Sequence, residues 1–145
     1  MTAFKKISSP LVDQQVSKSY QIESDYDEAT EPVTAVSTGH HLIADFYGAS
    51  QLNDIKLMED ALTKAADLAG ATLLHIHIHT FAGGGGITGV ALLAESHISV
   101  HTWPELEYAA FDAFMCGNAQ PQKAISYLKS VFKPQRVELK DIARG

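Results

Sequence analysis

Residues 71–116 read ATLLHIHIHTFAGGGGITGVALLAESHISVHTWPELEYAAFDAFMC, an alternation of apolar and polar positions broken at three places. The breaks are Ala82–Gly86, Glu95-Ser96 and Trp103-Pro104-Glu105. Side chains on a strand alternate between faces, so each unbroken stretch predicts a strand with one face on a core. Joints this short suit hairpins, whereas parallel strands need long crossovers. The middle of the chain therefore reads as an antiparallel meander, with strands over 71–81, 87–94, 97–101 and 108–115. Glu95-Ser96 falls at the joint between the second and third of these.

The flanks complete the layer. HHLIADFYG (40–48) alternates as a strand closed by Gly48. From 51 to 69 the apolar positions Leu52, Ile55, Met58, Leu62, Ala65, Ala66 and Ala69 have helical spacing, with Ser50 or Asn53 as cap and Gly70 as stop. A second helix is predicted over 121–132, with Ala124, Ile125, Leu128, Val131 and Phe132 on one face, and a last strand over 136–142. The order β-α-β-β-β-β-α-β predicts an α+β fold: a single antiparallel-rich sheet with both helices on one face. The segments VALLA and YAAFDAFM carry apolar residues at both parities, so the other face also needs cover. Two sheets packed face to face in a homodimer would supply it. Residues 1–38 are rich in Ser, Thr, Asp and Glu without a sustained period, and are expected to be a flexible extension to a domain spanning 39–145.

Charge narrows the function. The net charge is −6 with only 11 Lys and Arg, which argues against nucleic acid as a partner. No run approaches the ~20 apolar residues of a membrane span. The first residues lack an apolar secretory core, so the expected location is the cytoplasm. The single cysteine, Cys116, excludes an intrachain disulfide.

Several residues invite chemistry, and each also has a plain structural explanation. His75, His77 and His79 share one strand face, a geometry that suits zinc. A polar sheet face explains them equally, and no metal is expected. Gly83–Gly86 follows a strand but precedes another strand rather than a helix, so it lacks the context of a phosphate loop and reads as a hairpin loop. Ser96 does not sit in the strand-to-helix elbow of a serine hydrolase. Cys116 stands at a strand end before Gly117, where chemistry is common, although a lone thiol is often inert.

Taken together, GVALLAESHISVHTWPE and YAAFDAFMCG resemble the short prokaryotic S-adenosylmethionine decarboxylases, pyruvoyl-dependent enzymes made as self-cleaving proenzymes. The resemblance runs from about His40 to Gly145, including HHLIADFYG and the closing KPQRVELKDIARG. It implies that the chain cuts itself between Glu95 and Ser96. Ser96 would become the pyruvoyl cofactor that forms a Schiff base with the substrate amine. By the same resemblance His101 is the processing base, Thr88 assists processing, and Cys116 donates a proton to the product carbon. Glu105 matches a glutamate implicated in substrate binding. Phe81 and Trp103 are aromatic candidates for the sulfonium and adenine of the substrate. The implied enzyme is a carboxy-lyase that makes S-adenosylmethioninamine for spermidine synthesis, working as a homodimer of cleaved chains. This chain departs from many members by reading His79-Thr80-Phe81 before the glycine loop, where they have His-Arg-Phe and a proline-containing loop. Two alternatives stand beside this reading. One is a pyruvoyl-dependent arginine or ornithine decarboxylase on the same scaffold. The other is a non-enzymatic metal- or ligand-binding module built on His75, His77 and His79.

Overall fold

A computed structural model describes residues 37–145. The expected N-terminal extension lies outside them except for Ser37 and Thr38. In chain order the elements are β1 (Gly39–Tyr47), α1 (Ile55–Leu68), β2 (Leu73–Thr80), β3 (Ile87–Leu93), β4 (Ser96–Trp103), a 3-10 turn (Pro104–Leu106), β5 (Tyr108–Cys116), α2 (Pro121–Phe132) and β6 (Arg136–Arg144). The six strands form one sheet in the order β2-β3-β4-β5-β1-β6, and every neighbouring pair is antiparallel. The α+β architecture is the expected one.

One face of the sheet makes the core. Leu42, Ala44 and Phe46 of β1, Ala91 and Leu93 of β3, Ile98 and Val100 of β4, and Phe111, Ala113 and Met115 of β5 are buried there. Both helices cover this face. Helix α1 contributes Met58, Ala61, Leu62, Ala65 and Ala66, and α2 contributes Ala124, Ile125, Leu128 and Phe132. Phe111 is the centre, with its ring 4.9 Å from Phe46 and 5.8 Å from Phe132. Each large side chain so buried contributes about 1.5–3 kcal/mol.

Two local expectations need correction. Helix α1 is capped by Asp54, whose carboxylate accepts from the Leu57 amide at 2.9 Å, and not by Ser50 or Asn53. The predicted start at residue 51 fails because Gln51 is left-handed and Leu52 is buried as a loop anchor before the helix begins. The β3–β4 joint is Ala94-Glu95, because Ser96 already pairs with Leu93 as the first residue of β4.

The second face is open. Its cross-strand rows read His75-Leu92-His97-Phe114-His41-Ile142, then His77-Val90-Ser99-Asp112-Ile43-Lys140, then His79-Thr88-His101-Ala110-Asp45-Glu138. Six of the seven histidines stand on it, together with Val90 (39% exposed) and Leu92 (49%).

Candidate active site at two ends of the sheet

At one end the chain turns tightly from β3 into β4. Glu95 has φ of +61°, a left-handed conformation that costs a residue with a side chain about 1–2 kcal/mol. The next residue, Ser96, is only 7% exposed. Its hydroxyl lies 3.9 Å from Cys116 Sγ at the end of β5. The Cys116 thiol donates to the Glu95 carbonyl oxygen at 3.0 Å. The structure thus gathers Glu95, Ser96 and Cys116 around one peptide bond.

At the other end Thr88 of β3 and His101 of β4 are directly paired, Oγ1 to Nδ1 at 3.2 Å. They line a cleft of about 380 Å³ that also includes Phe81, Gly86, Trp103 and Glu105. Phe81, Trp103, His101 and Glu105 are all exposed. Two threonine roles meet here. Thr88 faces the cleft, while the buried Thr102 hydroxyl donates to the Leu52 carbonyl and accepts from the Ile87 amide, fixing the rim.

His101 is not within reach of Ser96 in the same chain. Five residues of strand separate them, roughly 16 Å at the usual rise, against the ~3 Å a proton transfer needs. The candidate residues therefore fall into two groups, Glu95–Ser96–Cys116 and Phe81–Thr88–His101–Trp103–Glu105.

Polar residues between these groups had no assigned role in the sequence. Asp112 accepts from His41 Nε2 at 3.0 Å and from the Ser99 hydroxyl at 3.3 Å. The His97 ring packs edge-on to His41, with centroids 6.1 Å apart. Burial, and secondarily the neighbouring His41, lower the His97 pKa. Asp45 accepts the Tyr108 hydroxyl at 2.6 Å, a bond that with burial pushes the tyrosine up to about 12. The signal for these residues was their shared parity, visible only once the strand order is known. His75, His77 and His79 share the open face, but among the described residues no group of three His, Cys, Asp or Glu side chains is placed to hold a metal. The metal-module alternative has no support.

Comparison with known proteins meets this geometry. The S-adenosylmethionine decarboxylase family model matches residues 40–145. An S-adenosylmethionine decarboxylase proenzyme of Thermomicrobium roseum is 39% identical over 110 residues, covering 75% of this chain and 95% of the relative. One from Methanococcus vannielii is 46% identical over 110 residues, covering 74% and 89%. The crystal structure of the adenosylmethionine decarboxylase from Aquifex aeolicus superposes with a TM-score of 0.68 at 34% identity, covering 77% of this chain and 93% of that one. With a strand-end serine, a thiol on the preceding carbonyl and a family match across the whole sheet, the chain belongs to the S-adenosylmethionine decarboxylase family.

Proposed function

We propose that the protein is a self-processing, pyruvoyl-dependent decarboxylase of S-adenosylmethionine that cuts its own backbone between Glu95 and Ser96. The observation that carries this reading is the Cys116 thiol on the Glu95 carbonyl with the Ser96 hydroxyl beside it. Addition of Ser96 Oγ to the Glu95 carbonyl carbon puts negative charge on that oxygen, where the Cys116 S–H already donates. The C–N bond then breaks, its nitrogen takes a proton, and an ester replaces the amide. A base removes the Ser96 α-proton and the ester C–O bond breaks, releasing Glu95 as a carboxylate. Water hydrolyses the resulting enamine, ammonia leaves, and residue 96 keeps a ketone. The left-handed Glu95 favours the forward direction, because its strain is released when the turn opens.

His101 and Thr88 fit the role of processing base and assistant only if they come from a second copy. Two sheets stacked through their open faces about a two-fold axis would bring one copy's Thr88–His101 end over the other's Ser96–Cys116 end. The apolar side chains Val90, Leu92 and Phe114 on that face suit such a contact. Each homodimer then carries two whole sites.

The residues around position 96 suit a pyruvoyl group. Ser96 is 7% exposed, and the Cys116 thiol lies 3.9 Å from its hydroxyl. That group supplies an electrophilic carbonyl that takes up the electron pair left when the substrate carboxylate departs. Cys116 holds the proton that replaces CO₂ on the substrate carbon. At the cleft end Phe81 and Trp103 offer ring faces to the adenine and sulfonium, and the Glu105 carboxylate offers an acceptor and a negative charge. The product, S-adenosylmethioninamine, serves spermidine synthesis. We place the enzyme in the cytoplasm; no helix of the described residues is long and apolar enough to cross a membrane.

The test is the intact mass of purified protein together with CO₂ release from S-adenosylmethionine, arginine and ornithine in parallel. Two chains, 1–95 and 96–145, with a hydroxylamine-reactive ketone on the second and release from S-adenosylmethionine alone are expected. A single uncut chain, or release from arginine or ornithine alone, overturns the reading.

A further inference from the structure

Four side chains from four strands form one continuous stack at the cleft end of the open face. Trp103 of β4 stacks on Tyr108 of β5, with centroids 5.2 Å apart and planes 25° apart. Tyr108 stacks on Tyr47 of β1 at 5.2 Å and 29°. The Arg136 guanidinium of β6 lies 3.8 Å from the Tyr47 ring centroid. Strand register explains the alignment, because Trp103 pairs with Tyr108, Tyr108 with Tyr47, and Tyr47 with Arg136.

Both the middle and the far end are pinned. The Tyr108 hydroxyl is held by Asp45, and Arg136 is paired with Glu138. The near end is free: Trp103 is 40% exposed and lines the cleft. Gly86 adds no side chain to the cleft, because a Cβ there would collide with the Thr102 carbonyl oxygen, and the His101 ring lies 6.4 Å from Trp103 along the same strand. Phe81, 54% exposed, lines the same cleft.

We propose that Tyr108, held by Asp45, and Tyr47, capped by Arg136, are positioning residues for substrate binding: they fix the plane of Trp103 so that a flat ring entering the cleft takes the next place in the stack. This rests on the reading that the cleft receives the adenosyl end of S-adenosylmethionine. An exposed tryptophan on a strand has rotamers to lose when a ligand stacks on it. Here the stack orders Trp103 on folding, so that cost is not charged to binding. None of the four touches the reacting carbon, so their removal acts on affinity and leaves chemistry alone.

Trp103 is the only tryptophan in the chain, so its emission reports the stack directly. Wild-type enzyme, Tyr108→Phe, Tyr108→Leu and Arg136→Gln are compared as full chains after intact mass has shown the extent of cleavage. KM and kcat are measured for CO₂ release, and Trp103 emission is titrated with 5′-methylthioadenosine. Tyr108→Leu should raise KM by roughly tenfold and blunt the emission change, with kcat within about twofold of wild type. Tyr108→Phe keeps the ring and should rescue most of the affinity. If Tyr108→Leu does not fold, Arg136→Gln, at the exposed far end of the stack, carries the test with a smaller rise in KM. A wild-type enzyme that decarboxylates while all three variants keep its KM and its emission response overturns the stack alone. Wild-type protein that neither cuts nor decarboxylates overturns the functional reading beneath it, and the proposal with it.

Discussion

Co-expressing a Ser96→Ala chain with a His101→Ala chain should restore a cut that neither chain makes alone. Each variant removes one end of the site. Ser96→Ala lacks the nucleophile and His101→Ala the base, so each homodimer has two broken sites. In a mixed dimer the Ser96 of the His101→Ala chain faces the His101 of its partner, and one whole site results. The second site of that dimer lacks both groups. Random pairing of equal amounts makes about half of the dimers mixed, so about a quarter of all chains should be cut. The structural basis is the roughly 16 Å of strand between Ser96 and His101, a gap no rotamer change closes. Different tags on the two chains let intact mass assign every fragment, and all fragments should come from the His101→Ala chain. Mixed dimers that stay uncut would refute the shared site. Complete cutting of His101→Ala by itself would remove His101 from processing.

Cys116→Ala should slow self-cleavage by roughly three- to tenfold, the worth of one net hydrogen bond to the scissile carbonyl, and should slow decarboxylation much more; time-resolved intact mass and CO₂ release separate the two effects. Phe111→Ala should cost about 3–5 kcal/mol, because its ring is the contact shared by Phe46 and Phe132; urea unfolding of the Ser96→Ala background measures it without interference from cleavage. Stability should fall as pH drops below about 6.5, because the lowered His97 pKa means the unfolded chain binds the proton more readily than the folded one. Burial and the facing His41 and Arg144 oppose that proton, while Asp112 favours it. Replacing His97 with Gln should flatten this part of the urea-midpoint profile, and an unchanged slope would assign it to another group.

Strand order and function were legible to different degrees for physical reasons. Local period-two patterning located β2 to β5 because each strand buries one parity and the joints are short. The place of β1 between β5 and β6 was not legible, since that pairing joins segments far apart in sequence. For the same reason nothing in the sequence groups Tyr47, Asp45 and Arg136 with Trp103 and Tyr108, which strand register aligns. The start of α1 was misread because Leu52 has helical spacing yet is buried as a loop residue, leaving Asp54 to cap. The family motif named Ser96, His101 and Cys116 as one constellation. Strand rise separates Ser96 from His101 within one chain by roughly 16 Å, a spacing already readable from the sequence.

The strand order has a last consequence for the severed molecule. In the proposed cut form, β1 belongs to the longer piece but lies between β5 and β6 of the shorter one. In the same way β3 stays zipped to β4, from Leu93–Ser96 to Thr88–His101. The two pieces are interleaved like fingers of two hands, and each leaves half a hydrophobic interior uncovered without the other. Scission is therefore expected to leave the sheet pairing intact while the turn at Glu95 opens, and neither fragment is expected to become a free-standing protein when produced separately.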